Sequence, residues 1–536
     1  MRTLPKKERS IWIAIVTCVI FSVLSCWQTA VAQTKLVKPD QWLAAQIKPV
    51  FAPDSRLIPL TWWAWPLSSN VNIELAKNWG YALDLCGDFP WLLQQLTNKN
   101  TTMYKYVSLA KENPQKYKLS IKLPRFWSFN VPPGLTIPDG VWVTNEAGYF
   151  IDKSSNTWSS ITNKKYTATV SPESPDSFWI NFAEYVAGPL RVINSNAPIS
   201  VILDGGEYGL GVTGNEADVW KYDPRVIQSK STSGMGWNLY SSIQKSRQMS
   251  FLSKAIASAV PERKCYVYYS TGNEQNRYYF NWITNWSGSW GWSSDVFTKN
   301  FDMPSFENYY QGPYCWTNAP GAQWNKVADL LTKQLNGVGY NLKLGYKTNY
   351  SWVCGGWGSN LSDITCYTGF LKCLYTSGMI GGIAGYFDYP VGGFDVAFDS
   401  NSPPHWLLQI QAISQVQALF SRLDAFLFEG DLLPGPNKHV WATDQSAYEF
   451  PTGNLNVRVL VRKMSASDKW LITAWAADGI DRGVSVTIPD LGSVSVNART
   501  CGSVYIATRN SLQLVDTAGL YPSNLGAAAN LRFSDE

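Results

Sequence analysis

The sequence predicts an α/β chain: a (β/α)8 TIM barrel followed by a small antiparallel β-sandwich. Three observations predict it. Short apolar runs alternate with amphipathic stretches up to about residue 430, giving eight β-then-α units in about 380 residues. No glycine-rich nucleotide fingerprint follows the first strand, which counts against an open doubly wound sheet. Beyond Leu433-Pro434-Gly435-Pro436 the pattern changes to short alternating runs separated by Gly, Asp or Pro turns.

Strands are expected at Leu57 to Trp65, Tyr81 to Cys86, Lys118 to Leu123, Ile199 to Asp204, Cys265 to Ser270, Asp302 to Asn308, Leu342 to Tyr346 and Ile380 to Phe387. Helices are expected around Glu74 to Trp79, Phe89 to Ala110, Pro175 to Ile193, Trp237 to Ala259, Gln323 to Leu335, Asp363 to Thr376 and Pro403 to Leu427. The third of these carries Phe178, Phe182, Tyr185, Val186 and Leu190 at helical spacing. A Pro/Gly/Thr/Ser/Asn-rich insertion spans roughly 127–170. The tail strands are Val457 to Lys463, Trp470 to Ala476, Gly483 to Ile488, Ser493 to Asn497 and Ser503 to Ile506. The expected division is a leader over 1–32, a barrel over 33–433 and a β-sandwich over 434–536.

The leader reads as a secretory signal. Basic residues up to Arg9 precede an apolar run from Ile11 to Leu24, and Ala30-Val31-Ala32 offers a cleavage site before Gln33. The run is too short to span a bilayer comfortably, and no later stretch is long and apolar enough for stable membrane insertion. The expected location is therefore secreted or periplasmic. Val23-Leu24-Ser25-Cys26 loosely resembles a lipobox that would anchor the chain at Cys26, but Leu24 fits its position poorly.

Of the net charge of +5, the first 32 residues carry +3, which leaves +2 on the remaining 504. A body that neutral offers no electrostatic footprint for nucleic acid. Only two histidines, His405 and His439, and no C-x-x-C motif are present, so no metal, zinc site or other cofactor is expected, and a His-based triad is poorly supplied. Seven cysteines follow the leader. Cys354, Cys366 and Cys373 lie close enough in sequence for a disulfide among them.

Tryptophan is the compositional signal: 26 Trp, with 28 Tyr and 22 Phe. In a barrel the site lies at the carboxyl ends of the strands. Those ends carry Trp63 and Trp65; Arg125 and Trp127; Asp204, Glu207 and Tyr208; Tyr269; Glu307 and Tyr309; Tyr350 and Trp352; and Asp388. Alternate strand residues point to opposite sides, so Trp63 and Trp65 are placed at the site and Trp62 behind it. Trp282, Trp286, Trp290 and Trp292 crowd one loop that has no Lys or Arg between Tyr278 and Asp295, which favours sugar over nucleic-acid stacking. The β-domain holds only Trp441, Trp470 and Trp475, so the tryptophan excess is expected mostly in the barrel's cleft. Pyranose C–H faces stack on such rings, hydroxyls need flanking polar groups, and glycosidic cleavage needs two carboxyls.

Val201-Ile202-Leu203-Asp204-Gly205-Gly206-Glu207-Tyr208-Gly209 resembles the fourth-strand end of clan A (β/α)8-barrel glycoside hydrolases, of β-galactosidase or β-agarase-like architecture. Members carry a similar Asn-Glu-Tyr-Gly whose Glu is the acid/base. The resemblance implies that role for Glu207. Gly206 stands where the clan has an Asn that contacts the sugar 2-hydroxyl. The clan's nucleophile lies on strand seven, where the expected strand has no Asp or Glu, so Glu307 is the best substitute. A fourth-plus-sixth arrangement resembles clan D instead, with Asp204 attacking and Glu307 donating the proton. Asp204 could equally tie down a strand end. Arg125 could pair with a catalytic carboxylate, hold an acidic sugar or be structural, and Asp388 suits substrate binding. The expected function is a secreted glycoside hydrolase acting on a poly- or oligosaccharide, with a retaining pair about 5 Å apart. The alternatives are a non-catalytic carbohydrate-binding protein on a degenerate barrel, and an exported polysaccharide lyase.

Overall fold

The computed structural model describes residues 35–62, 69–87, 89–123, 138–144, 170–204, 220–268, 296, 298–309, 322–354, 364–384, 395–435 and 448–515. The helices are α1 Pro39–Ala45, α2 Ser69–Asn78, α3 Phe89–Thr97, α4 Thr102–Glu112, α5 Asp176–Asn196, α6 Pro224–Ser233, α7 Trp237–Ala259, α8 Ala322–Lys343, α9 Ile364–Ser377, α10 His405–Ser421 and α11 Asp424–Phe428. The strands are β1 Leu36–Val37, β2 Ala82–Leu85, β3 Lys118–Lys122, β4 Ile199–Asp204, β5 Cys265–Tyr268, β6 Ser305–Tyr309, β7 Asn349–Cys354, β8 Met379–Ile380, β9 Ile383–Ala384, β10 Phe398–Asp399 and β11 Asp431–Leu432. The tail adds β12 Val457–Met464, β13 Lys469–Ala476, β14 Arg482–Ile488, β15 Gly492–Ala498, β16 Ser503–Thr508 and β17 Ser511–Leu514.

The parallel core forms two sheets, ordered β2-β3-β4-β5 and β6-β7-β8, with β9 also on β7. Leu60 adds a parallel bridge to Tyr81 at the β2 edge. Alternation decides what each strand faces. Leu83, Leu85, Leu119, Ile121, Ile202, Tyr266 and Tyr268 turn outward into a core shared with α3, α4, α5 and α7. Leu60, Trp62, Phe306 and Val353 turn outward into a second core with α2, α8, α9 and α10. The opposite faces meet each other: Val201, Leu203, Cys265 and Val267 of one sheet and Tyr350 and Trp352 of the other form one buried cluster, together with Ile58 and Met303 from the flanking segments.

Side chains join the sheets where no ladder does among the described residues. The Asp302 carboxylate accepts from the Tyr266 amide at 2.7 Å, and Ser305 Oγ donates to the Tyr268 carbonyl at 2.5 Å. Near the other edge, Gly381 and Gly382 divide the eighth strand. A Cβ on Gly382 would stand 1.6 Å from the Tyr350 hydroxyl and 2.5 Å from Thr61 Oγ1, so only glycine admits that approach.

The tail is antiparallel, with a sheet ordered β11-β12-β13-β16-β17 and the hairpin β14-β15. One face encloses Val459, Val461, Ile472, Ala474, Val486 and Val496. The other supplies Leu460, Leu471, Trp475 and Val504 to the core that holds α8–α10. Helix α9 lies between parallel and antiparallel sheets and is buried from Cys366 to Ser377. A Cβ on Gly369 would stand 2.1 Å from Trp475. Buried Lys372 donates to the Gly502 carbonyl at 2.6 Å, and Glu449 accepts from Thr332 at 2.7 Å while facing Arg458 at 3.4 Å. The expected division at 433–434 therefore separates two sheets that share one apolar core.

Several expected boundaries move. The seventh strand is not Leu342 to Tyr346: α8 runs through Lys343, the amides of Leu344, Gly345 and Tyr346 close its last turn, and the strand begins at Asn349. The sixth starts at Ser305 rather than Asp302, whose carboxylate serves β5. Phe89 to Ala110 is two helices because Thr101 caps α4, accepting from the Tyr104 amide at 3.2 Å. The long closing helix is likewise divided, into α10 and α11. Helix α6 was not expected. Its start is signalled by Asp223-Pro224, and the Asp223 carboxylate caps it. The disulfide expected among Cys354, Cys366 and Cys373 does not form. Cys366 and Cys373 are buried thiols seven residues apart on α9, about 10 Å along the axis, beyond disulfide reach.

Arg462 binds the two layers most directly. Buried in the second β-domain strand, it donates to the carbonyls of Phe426, Leu427, Gly430 and Thr376 at 2.6–3.2 Å. These are orphan acceptors at the ends of α9 and α11. Burial pulls its pKa down to about 10, so the cation persists at neutral pH. Arg462→Met strips four buried carbonyls of a donor and should destabilise the full chain by about 3 kcal/mol or more. The urea midpoint measures this, and Arg462→Lys should recover only part of the loss. A wild-type midpoint for Arg462→Met would show that water reaches those carbonyls.

Candidate functional site

The carboxyl ends of β2, β3, β4 and β6 mark the candidate site. Glu207, Trp63, Trp65, Arg125, Trp127, Tyr208, Tyr269, Trp290, Trp292 and Asp388 lie outside the described residues. What is described is the frame that carries them. Glu207 follows three residues after Asp204, the last residue of β4. Arg125 follows three after Lys122, the last of β3. Trp63 follows Trp62, which packs outward edge-on against Trp406 at 6.3 Å, the position behind the site that alternation predicts.

Asp204 is buried, and its Oδ2 accepts from the Tyr266 hydroxyl at 2.7 Å. Tyr266 belongs to the outward core, and Asp204 shares the parity of Ile202 rather than that of Val201 and Leu203. Its carboxylate thus lies on the helix side of β4. Burial and the Asp204 charge together push the Tyr266 phenol well above its ordinary value, keeping it a neutral donor. This is the geometry of a strand anchor.

Glu307 occupies the centre of β6, in register with Trp352 and between the outward residues Phe306 and Asn308. Asn308 donates to Ser351 at 2.6 Å and accepts from Gln334 of α8 at 3.2 Å, which fixes the strand's outward face. Glu307 therefore has the parity of Ser305. Tyr309 ends the same strand. Tyr350 and Trp352 are buried in the cluster common to both sheets, edge to face at 4.8 Å, and the Tyr350 hydroxyl shares a hydrogen bond with Thr61 Oγ1. Burial pushes the Tyr350 phenol well up, and the Asp84 charge adds to the shift.

That coupling points to residues the sequence reading passed over. Asp84, Ser120 and Lys122 alternate with outward Leu83, Leu85, Leu119 and Ile121, so they occupy the faces that look away from the helices. Lys122 Nζ pairs with Asp84 Oδ2 at 2.8 Å, and Ser120 Oγ donates to Asp84 Oδ1 at 3.3 Å. Cys86 lies close by; burial raises its thiol pKa, Asp84 adds to the rise and Lys122 opposes it. The available signal was charge on one parity of a buried strand. No group of three or more metal-ligating side chains occurs among the described residues, nor any helix long and apolar enough to cross a membrane.

No family model matches the chain, and no curated protein matches it. Solved structures give remote likenesses. An α-amylase from Geobacillus thermoleovorans complexed with acarbose is 11% identical, covering 86% of this chain and 98% of its own, with a TM-score of 0.40. A GH27 β-L-arabinopyranosidase from Geobacillus stearothermophilus is 8% identical over 88% and 98%, with a TM-score of 0.41. A GH30 endoxylanase from Clostridium papyrosolvens is 12% identical over 86% and 99%, with a TM-score of 0.36. Likenesses of this grade assign neither a family nor a reaction.

Replacing Tyr266 with Phe leaves the buried Asp204 carboxylate short of a charge-assisted hydrogen bond. Tyr266→Phe should cost about 1.5–3 kcal/mol in urea unfolding. An unchanged midpoint would remove the anchoring role from this pair.

Proposed function

We propose that the chain is an exported glycoside hydrolase whose two parallel sheets are arcs of one (β/α)8 barrel. It acts on a poly- or oligosaccharide through Glu207 as acid/base and Glu307 as nucleophile. The observation that carries this reading is the parity of Glu307. It stands in register with Trp352 on the strand face whose neighbours fill the common interior, while Glu207 follows the carboxyl end of the buried strand β4. Two carboxyls reaching one cleft, one from just beyond the end of β4 and one from within β6, can protonate a glycosidic oxygen and attack the anomeric carbon. The approach of Gly381 and Gly382 to Ile58, Thr61 and Tyr350 supports the closed barrel, because it brings the last parallel strand against the first.

Asp204 is not the favoured nucleophile: its carboxylate lies on the helix side of β4, bonded to Tyr266. In the cleavage proposed here, Glu207 gives its proton to the departing sugar oxygen as Glu307 bonds to the anomeric carbon. Water deprotonated by Glu207 then displaces Glu307, which retains configuration. The basic segment, apolar run and Ala30-Val31-Ala32 of the leader support export with cleavage before Gln33.

The test is to incubate chain starting at Gln33 with plant, fungal and algal polysaccharides and to measure new reducing ends. Glu207→Gln should lower the rate on the cleaved glycan by about 10²–10⁴-fold, and Glu307→Gln should abolish turnover. Full activity in either variant removes that residue from the chemistry. Binding without new reducing ends identifies a non-catalytic sugar-binding protein, and unsaturated uronate products identify a lyase.

A further inference from the structure

We propose that Asp84 and Lys122 form a subsite that recognises the hydroxyls of a neutral sugar, an inference that rests on the glycoside reading above. The pair sits on neighbouring strands at their carboxyl ends, with Asp84 one residue before the end of β2 and Lys122 closing β3. Both side chains lie on the interior-facing parity and remain slightly open to solvent, at 10% and 16%.

Packing alone does not call for them. At the equivalent parity β4 and β5 carry Val201, Leu203, Cys265 and Val267, and these fill the interior with apolar contact. A sequestered ion pair loses hydration that its mutual attraction only partly returns, so apolar residues there would be the cheaper choice. Such departures from local rules mark functional positions. The interior is thus divided: one part is charged, at Asp84, Ser120 and Lys122, and another is closed apolar packing that includes the wholly buried Tyr350 and Trp352. Asp84 also acts electrostatically on the Tyr350 phenol.

The charged part suits the rim of hydroxyls on a pyranose. Asp84 can accept from one hydroxyl, while Lys122 donates to its neighbour. Held at 2.8 Å, the two charges sum to zero. The subsite therefore offers no excess positive charge for a uronate or sulfate ester, and the preferred ring is a neutral one.

The probes are neutral xylo-, manno-, cello- and galacto-oligosaccharides, with oligogalacturonate as the acidic control. For the neutral sugar that wild type turns over, Asp84→Asn and Lys122→Met should each raise KM by about 10- to 100-fold. The thermal midpoint without sugar should fall in both variants, because each leaves its partner's charge sequestered and unpaired, so KM is read at a temperature where both remain folded. Should a variant fail to fold, acetic anhydride labelling of wild type supplies the second measurement. The same neutral sugar should slow acetylation of Lys122 relative to exposed Lys111. Unchanged KM in folded variants, unprotected Lys122, or preference for oligogalacturonate overturns the subsite while leaving the hydrolase reading intact. Wild type that neither binds nor cleaves any of these sugars, nor any polysaccharide of the wider panel, overturns both.

Discussion

A parallel strand buried on both sides must satisfy two surroundings with one two-residue period, and the rest of this structure follows from how that is done. Leu83, Leu85, Leu119, Ile121, Ile202 and Tyr266 go outward to the helices. Val201, Leu203, Cys265, Val267, Tyr350 and Trp352 go to the common interior. A shift of one residue would exchange the two sets and bury Lys122 against a helix layer. The parity that places apolar residues under the helices thus fixes which carboxylates reach the interior and which, like Asp204, are spent on anchoring.

Helix α9 extends the same constraint to the tail. A helix packed on one sheet needs one apolar stripe, but α9 is covered by sheets on both sides and has no residue from Cys366 to Ser377 left exposed. Its polar members then need protein partners. Thr376 shares a hydrogen bond with Thr473 at 2.6 Å, Lys372 donates to Gly502, and Arg462 reaches the helix end. The β-domain is thereby a wall of the core that also holds α8, α9 and α10. An appended module would instead turn a polar face toward its neighbour.

Where local pattern and tertiary surroundings agree, the fold was legible in advance. The fourth strand, Ile199–Asp204, and α7, Trp237–Ala259, fall where periodicity puts them, and five tail strands sit within two residues of expectation. The seventh strand moved because Leu342 and Leu344 look like an alternating pair yet belong to the last turn of a helix. That helix ends at Lys343, and Gly345 just beyond it takes φ +95°. The cysteine pairing failed because nearness in sequence is not nearness along a helix. For the proposed site, motif and strand-end reasoning points to Glu207 and Glu307 and does not reach Asp84 or Lys122. No motif contains those two; only the outward burial of their neighbours reveals which way they face.

Tryptophan shows the same dependence on position. Nine tryptophans among the described residues are buried: Trp42, Trp62, Trp79, Trp179, Trp220, Trp352, Trp406, Trp470 and Trp475. Trp475 fills the gap left by Gly369, Trp62 packs on Trp406, and Trp79 lies under the Lys48 ammonium at 5.4 Å. Much of the surplus that suggested a sugar cleft is therefore ordinary core, used where a large rigid ring fills space between layers. Of these nine, only Trp352 faces the common interior, and it does so in register with Glu307. Trp352 and Tyr350 are themselves wholly buried, packed on each other and on the interior cluster, whereas Asp84 and Lys122 on the inner parity of β2 and β3 keep some contact with solvent. A count of tryptophans cannot separate a stacking platform from a core, but burial can: a ring with no exposed face fills space, whereas a charged pair that keeps a solvent-open edge is not required by packing.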